Sequence, residues 1–266
     1  MPTETINGAD LYYESAGDGP AIVLLHGVLM SSRFFSEQQP LSDTYQLITL
    51  DFRGHGRSEK TDTGHTLPQY ARDLEAFLDA QTLSDVVVVG WSMGSLVVWE
   101  YMRQFGTDRL QGFVSVDQQP LDLEQEGYEH GVFDFADLSG LMELTQTDPH
   151  AVAQSFVDEM LVDEPESVRQ TLFDEITRVP PPIMNAILFD QSVRDYREVV
   201  PESDVPTLVC LGEDETMVEN AGVEYVADTT PAAELERFSE SGHCPFLEEP
   251  DRFNQVVSSF IQDRCQ

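Results

Sequence analysis

Basic residues are scarce in this chain. Only 14 of its 266 residues are lysine or arginine, against 49 aspartate or glutamate, and Lys60 is the single lysine. The formal net charge at pH 7 is −35. Because phosphate binding needs a basic face, this composition excludes a nucleic-acid partner. The acids are spread over the whole chain instead of forming a tail, which indicates a solvated surface and not a docking segment for a basic partner.

The spread of negative charge also predicts a dependence on salt. Like charges over a whole surface repel one another and destabilise the compact state at low ionic strength. At molar salt the Debye length falls to about 3 Å, and the repulsion is screened. We therefore expect a halophilic protein from a salt-accumulating cytoplasm.

Long apolar runs and paired cysteines are missing too. No stretch approaches the roughly 18 apolar residues of a membrane span, so no membrane association is expected. The first residues have neither the basic region nor the apolar segment of a signal peptide, which predicts a cytoplasmic protein. The cysteines are odd in number and far apart, so neither a disulfide framework nor a cysteine metal site is expected. They are Cys210, Cys244 and Cys265.

Apolar strand patterns alternate with helical patterns along the chain. Thr3–Ile6 and residues 11–15, joined by Asn7-Gly8, predict an antiparallel hairpin. Apolar residues with helical spacing occupy Leu67–Ala80 and residues 253–261. This alternation predicts an α/β fold whose parallel sheet is covered on both faces. The predicted buried strands are Ala21–Leu25, residues 45–50, residues 86–89, Leu110–Val116 and residues 207–211.

The alternation stops between residues 120 and 200. Helical patterns fill this stretch without a buried strand, and its length of about 80 residues exceeds that of an ordinary crossover. We predict that residues 120–200 form a helical cap and that residues 1–119 and 201–266 form the core. The cap is expected to lie above the carboxyl ends of the strands, where the sites of α/β proteins lie. Ordinary crossover helices are the alternative. The helical patterns cover residues 136–145, 149–161, 165–178 and 183–190.

Gly90-Trp91-Ser92-Met93-Gly94 carries the most chemical information. It lies between an apolar strand and a helical run, which is the context of a nucleophile elbow. In such a turn the serine is strained, only small residues fit two positions before and after it, and its hydroxyl projects into a cleft. The N–H of Met93, at the helix N-terminus, then points at a developing oxyanion. A helix start that uses Ser92 only as a cap is the alternative.

A serine hydroxyl needs a base, and the sequence offers six histidines. Only His243 follows the last predicted strand, as the order serine, acid, histidine requires. Gly242 and Pro245 indicate a loop around it, which can hold an imidazole over a cleft. We predict that His243 is the base; a solvated loop histidine is the alternative.

These motifs resemble the α/β-hydrolase superfamily, in its capped serine esterase and haloperoxidase-like branch, over essentially the whole chain. The matching segments are His26-Gly27, residues 51–58, the elbow at residues 90–94, and Ser241-Gly242-His243. The resemblance implies the α/β-hydrolase fold, with a mostly parallel eight-stranded sheet, flanking helices and a helical cap insertion.

The resemblance also assigns roles near the elbow. It implies that the N–H of Val28 is the second oxyanion-hole donor beside that of Met93. It further implies that His26 holds this loop by hydrogen bonds, and that Arg53 and His55 are architectural.

The acid of the triad has more than one candidate. The superfamily usually places it three residues after the glycine that follows the strand at 207–211, which is Glu215 here; Asp214 lies one residue earlier. Some members carry it after the preceding strand, where Asp117-Gln118-Gln119-Pro120 resembles one subgroup. We favour Asp117, with Glu215 as the alternative and Asp214 third.

The expected function is that of a serine hydrolase acting on a small or medium carboxylic ester or lactone through an acyl-enzyme. Trp91 is expected to pack at the strand end or to line the substrate pocket. The expected partner is a small-molecule acyl substrate, and no metal or organic cofactor is implied. The alternatives are a carbon–carbon bond hydrolase, a cofactor-free dioxygenase or perhydrolase, and a non-enzymatic ligand receptor on the same fold.

Overall fold

The computed structural model describes residues 3–162, 166–214 and 217–265. The strands in these ranges are β1 (Thr3–Ile6), β2 (Ala9–Ala16), β3 (Ala21–Leu25), β4 (Gln46–Leu50), β5 (Val86–Trp91), β6 (Leu110–Val116), β7 (Thr207–Gly212) and β8 (Ala233–Phe238). They form one sheet in the order β1-β2-β4-β3-β5-β6-β7-β8. The pairs β1–β2 and β2–β4 are antiparallel, and every other pair is parallel. The predicted α/β-hydrolase sheet of eight mostly parallel strands is therefore confirmed.

Helices cover both faces of this sheet, since every residue of β3, β5 and β7 is buried. The helices are α1 (Leu67–Ala80), α2 (Met93–Phe105), α3 (Phe135–Thr147), α4 (Pro149–Met160), α5 (Glu166–Ile176), α6 (Pro181–Ser192), α7 (Asn220–Thr229), α8 (Pro245–Glu248) and α9 (Pro250–Arg264). Two 3-10 segments, Ser32–Asp43 and Val200–Glu202, complete the helical structure of the described ranges. No helix in those ranges has the length and hydropathy to cross a bilayer.

Local sequence explains how the first elements form. Asn7 and Gly8 both have positive φ, 47° and 78°, as the tight turn between β1 and β2 requires. Thr66 caps α1 by accepting a hydrogen bond from the N–H of Gln69. The β1–β2 hairpin and helix α1, both predicted from the sequence, are therefore present in the structure.

A buried ion pair ties the loop after β4 to α1. Arg53 donates to both carboxylate oxygens of Asp73, at 2.6 and 2.9 Å, and both side chains are almost completely buried. The side-chain amides of Asn7 and Gln69 also donate to Asp73. The pair therefore joins the β1–β2 turn, the β4 loop and α1, which is the architectural role expected of Arg53.

Four helices, α3 to α6, fill the described part of the chain between β6 and β7. Helix α3 contacts α6 and α4, and α4 contacts α5. Hydrogen bonds join α6 and the segment after it to the rest of the fold, from the N–H of Leu67 to Asp190 and from the hydroxyl of Tyr196 to Glu100. Whether residues 120–200 act as a separate cap stays a prediction.

The acidic composition leads to a first prediction about stability. We expect the melting temperature to rise by about 5 °C or more between dilute buffer and about 2 M KCl, because salt screens the repulsion among the excess carboxylates. Differential scanning calorimetry measures this. The control is an uncharged osmolyte at equal osmolality, which leaves charge repulsion unscreened. Equal melting temperatures in dilute buffer and molar KCl would refute the expectation of salt adaptation.

Candidate active site

Ser92 stands between the end of β5 and the start of α2 in a conformation that few residues other than glycine adopt. Its φ and ψ are 51° and −120°, and its side chain makes no capping hydrogen bond to α2. Its N–H donates to the carbonyl of Val116 at 2.9 Å, and its carbonyl accepts from the N–H of Ser95 at 2.8 Å. The backbone of Ser92 is thus held by β6 on one side and by α2 on the other, which keeps a strained residue in place.

Close packing of the backbone explains the two glycines of the elbow. A Cβ atom at Gly94 would lie 2.3 Å from the carbonyl oxygen of Leu25 in β3, and one at Gly90 would lie 2.6 Å from the carbonyl carbon of Gly94. Real Cβ atoms essentially never come so close to backbone atoms, so α2 can start this near the sheet only because both positions lack a side chain.

His243 lies in the loop between β8 and α8, and its Nδ1 is 2.8 Å from Oδ2 of Asp117. Both side chains are buried, with exposed fractions of 3% and 0%. Because an ionised carboxylate only accepts hydrogen bonds, the neutral imidazole must carry its proton on Nδ1, which leaves Nε2 as the proton acceptor. This is the tautomer that a general base needs.

Asp117 follows β6 directly, and the strands on either side hold it. Its φ is 52°, its N–H donates to the carbonyl of Cys210 at 2.9 Å, and its Oδ1 accepts from the N–H of Gly212 at 3.3 Å. Of the three candidate acids, the structure brings Asp117 to His243. Asp214 is exposed, and its N–H donates to the carbonyl of Ser241. Glu215 lies outside the described residues.

The loop after β3 passes beside the serine. A Cβ atom at Gly27 would lie 3.4 Å from Cβ of Ser92, so the backbone leading to Val28 runs next to the nucleophile position. Among the described residues, the N–H of Val28 and that of Met93, the first residue of α2, have no hydrogen-bond acceptor. An N–H group at the start of α2 and another in the neighbouring loop are the donors expected of an oxyanion hole, and that role stays a prediction.

His26 supports this loop as a neutral imidazole. Its Nδ1 donates to the carbonyl of Gly27 at 2.7 Å, and its Nε2 accepts from the N–H of Phe52 at 3.1 Å. Complete burial lowers the pKa of His26, and this favours the neutral form that accepts from Phe52. His26 therefore ties the loop before Val28 to the loop after β4, as the resemblance implied.

Trp91 connects the nucleophile strand to the histidine loop. Its indole N–H donates to the carbonyl of His243 at 2.9 Å, and only 1% of the residue is exposed. Its ring contacts Phe34 and Phe246 at centroid distances of 6.4 and 4.9 Å. The structure thus places Trp91 as packing beneath the base, while a part in lining the substrate pocket stays a prediction. Phe246 was not singled out in the sequence, although its position three residues after His243 was a usable signal.

A buried carboxylate was also missed. Asp122 is 4% exposed, and its carboxylate oxygens accept hydrogen bonds from the side-chain amides of Gln118 and Gln191. It stands in a polar stretch without a motif, so the sequence offered no signal for it. In the described ranges, no group of three or more histidine, cysteine, aspartate or glutamate side chains is arranged to hold a metal ion.

Comparison with known proteins identifies the class to which this fold and site correspond. Residues 20–250 match the family model described as the alpha/beta hydrolase fold. The chain therefore belongs to the α/β-hydrolase family.

Relatives from bacteria match almost the entire chain. A non-heme haloperoxidase from Rhodococcus erythropolis is 27% identical, covering 98% of this chain and 100% of the relative. A non-heme chloroperoxidase from Kitasatospora aureofaciens is 26% identical, with 97% and 98% covered. Among solved structures, a bromoperoxidase from Bacillus anthracis is 25% identical with a TM-score of 0.94, covering 98% of this chain and 99% of that one. An esterase from Exiguobacterium antarcticum has the same TM-score and coverage at 24% identity, which shows the shared fold.

Proposed function

We propose that this protein is a serine hydrolase that cleaves small or medium carboxylic esters or lactones through an acyl-enzyme. One observation carries the proposal: the strained Ser92 elbow and the buried His243–Asp117 pair lie at the same end of the sheet. Ser92 and Asp117 follow the neighbouring strands β5 and β6, and His243 contacts Asp117 from its loop. A strained serine, an oriented imidazole and free backbone donors are the parts that acyl transfer needs.

Each residue has a defined task in the proposed reaction. Nε2 of His243 takes the hydroxyl proton of Ser92 while the Oγ of Ser92 forms a bond to the carbonyl carbon of the substrate. The oxyanion that forms accepts hydrogen bonds from the N–H groups of Val28 and Met93. Asp117 stabilises the imidazolium, which then gives its proton to the departing alcohol oxygen as the acyl–oxygen bond breaks. Removal of one oxyanion donor in such sites typically lowers kcat by about 100- to 1000-fold.

Water completes the cycle by the same route. His243 takes a proton from water, the resulting hydroxide adds to the acyl carbon, and the proton returns to the oxygen of Ser92 as the carboxylic acid leaves. Residues 120–200 act in this proposal as a cap that excludes bulk water and limits the size of the acyl group. The partner is the small-molecule acyl substrate.

Labelling with a fluorophosphonate tests the nucleophile directly. We expect one label on Ser92, activity on p-nitrophenyl acetate in molar KCl, and the loss of both in Ser92→Ala. The control is Ser36→Ala, which removes the hydroxyl of an exposed serine and should change neither. An unlabelled Ser92 in protein that is folded by circular dichroism would overturn the proposal. A panel of acyl-chain esters, lactones and diketones then defines the substrate class and separates ester from carbon–carbon cleavage.

The names of the relatives favour a second activity of the same site. Several are haloperoxidases, and the acyl-enzyme proposed here could pass its acyl group to hydrogen peroxide instead of water, forming a peracid and regenerating Ser92. Peracid formation from an ester and peroxide, lost in Ser92→Ala, supports this activity. If the ester is hydrolysed in the presence of peroxide and no peracid forms, water is the acyl acceptor and this second activity is refuted.

A further inference from the structure

Glu248, the last residue of α8, accepts hydrogen bonds from two segments that are far apart in the sequence. Its Oε1 accepts from the N–H of Val162 at 2.8 Å, and its Oε2 accepts from the N–H of Gly242 at 2.9 Å. Val162 lies just after the end of α4, and Gly242 directly precedes His243. One carboxylate therefore joins α4 to the loop that carries the candidate base.

The end of α4 also packs directly on this loop. A Cβ atom at Gly242 would lie 3.2 Å from Cγ2 of Val162, which is closer than most real Cβ contacts. The carbonyl oxygen of Met160, the last residue of α4, would lie 3.7 Å from the same atom. The missing side chain at Gly242 thus lets the two segments approach, and Glu248 bridges the segments that this contact brings together.

Other contacts fix the histidine loop to the sheet and to the helix that closes the chain. Oε1 of Glu249, which precedes α9, accepts from the hydroxyl of Ser241 at 2.9 Å. The carbonyl of His243 accepts from the indole N–H of Trp91, at the end of β5. Glu248 adds a link to α4, so the loop is held from the sheet side and from the side of the predicted cap.

We propose that Glu248 is a positioning residue that couples α4 to the base, so that Nε2 of His243 keeps its place only while α4 is docked on the histidine loop. The inference rests on the proposed function, because the place of Nε2 matters only if His243 moves protons. A displacement of about 1 Å near a reacting group can lower a rate by about 100-fold, so the loss of this link is large enough to measure.

The first test removes the carboxylate in Glu248→Ala. We expect NMR hydrogen exchange at the Gly242 amide to become about tenfold faster, because a charge-assisted hydrogen bond is lost. The kcat for p-nitrophenyl acetate in molar KCl should fall by about tenfold or more with little change in KM, since a displaced base slows chemistry and leaves binding intact. Glu240→Gln is the matched control, because it removes an exposed carboxylate from the same loop and should change neither quantity.

A change on the α4 side tests the coupling itself. Val162→Pro removes the N–H that donates to Glu248, and the extended backbone of Leu161, with φ −128° and ψ 137°, is compatible with a following proline. Val162→Ala keeps this N–H and is the control. We expect Val162→Pro to have a lower kcat and faster exchange at Gly242 than Val162→Ala, and to cause no further loss in a Glu248→Ala background.

Unchanged exchange at Gly242 or unchanged kcat in Glu248→Ala overturns the inference. Equal kcat in Val162→Pro and Val162→Ala, or fully additive effects of Val162→Pro and Glu248→Ala, overturns it as well. If Glu248→Ala does not fold, the comparison of Val162→Pro with Val162→Ala decides. Hydrogen exchange needs no turnover, so a wild type without esterase activity but with the expected exchange rates refutes the proposed function alone and supports the link from α4 to the loop.

Discussion

Replacement of Asp117 by asparagine is expected to lower kcat by about ten-thousand-fold. Asparagine keeps the size of the side chain, but its amide can meet Nδ1 of His243 as a donor and favour the wrong tautomer. Both side chains of this 2.8 Å contact are buried, so bulk water does not take over the role of the carboxylate. The comparable change in serine proteases has an effect of about this size. The measurement is steady-state turnover of p-nitrophenyl acetate in molar KCl.

Glu215→Gln is the control for this prediction, since it removes the acid at the position more usual in the superfamily. With Asp117 as the triad acid, Glu215→Gln should retain turnover within a few fold. A large loss in Glu215→Gln with little loss in Asp117→Asn would assign the acid to the loop after β7. Fluorophosphonate labelling of both variants separates loss of the base from loss of the fold.

Replacement of Asp73 by asparagine should destabilise the fold by about 3–5 kcal/mol, because it leaves the buried guanidinium of Arg53 without its counter-charge. The pair is bidentate, and its two side chains are only 6% and 2% exposed, so water cannot compensate for the loss. Urea unfolding at constant KCl measures the change, because salt otherwise adds its own contribution.

The control is Asp79→Asn, which breaks the exposed ion pair with Arg109. Exposed pairs typically contribute less than about 1 kcal/mol, so this variant should unfold close to the wild type. If Asp73→Asn and Asp79→Asn shift the unfolding midpoint equally, the loop after β4 is not held by the Arg53–Asp73 pair.

Most of the sheet could be predicted because its strands are buried on both faces and are therefore continuously apolar. Ala21–Leu25 and Leu110–Val116 were predicted with the observed bounds. Strand β8 was missed because it lies at the sheet edge and carries charged residues between partly buried ones, as its sequence Ala-Glu-Leu-Glu-Arg-Phe shows. Helix α7 and the 3-10 segment Ser32–Asp43 were missed as well; the segment contains Pro40 and a kink at Phe35, which obscure any helical period.

The residues of the candidate site also differ in how far the sequence predicts them. Ser92 could be predicted because a strained turn requires glycines on both sides of it. His243 could be predicted because it alone among the histidines follows the last predicted strand. The choice among carboxylates could not, because it depends on which strand end lies beside the histidine loop, and 49 acidic residues place candidates everywhere. The buried carboxylate of Asp122 was not singled out either, because its partners, Gln118 and Gln191, are distant in the chain and meet only when α6 packs on the loop after β6.

The two strand-borne members of the site are related by a hydrogen-bond ladder. Trp91 pairs with Val116 in register, and the residues that follow them are Ser92 and Asp117. Their separation is therefore a property of the sheet and changes only if strands slip, which would turn every buried side chain to the opposite face. His243 alone stands on a loop. The third member is joined to the same frame of strands, because the indole N–H of Trp91 at the end of β5 donates to the carbonyl of His243.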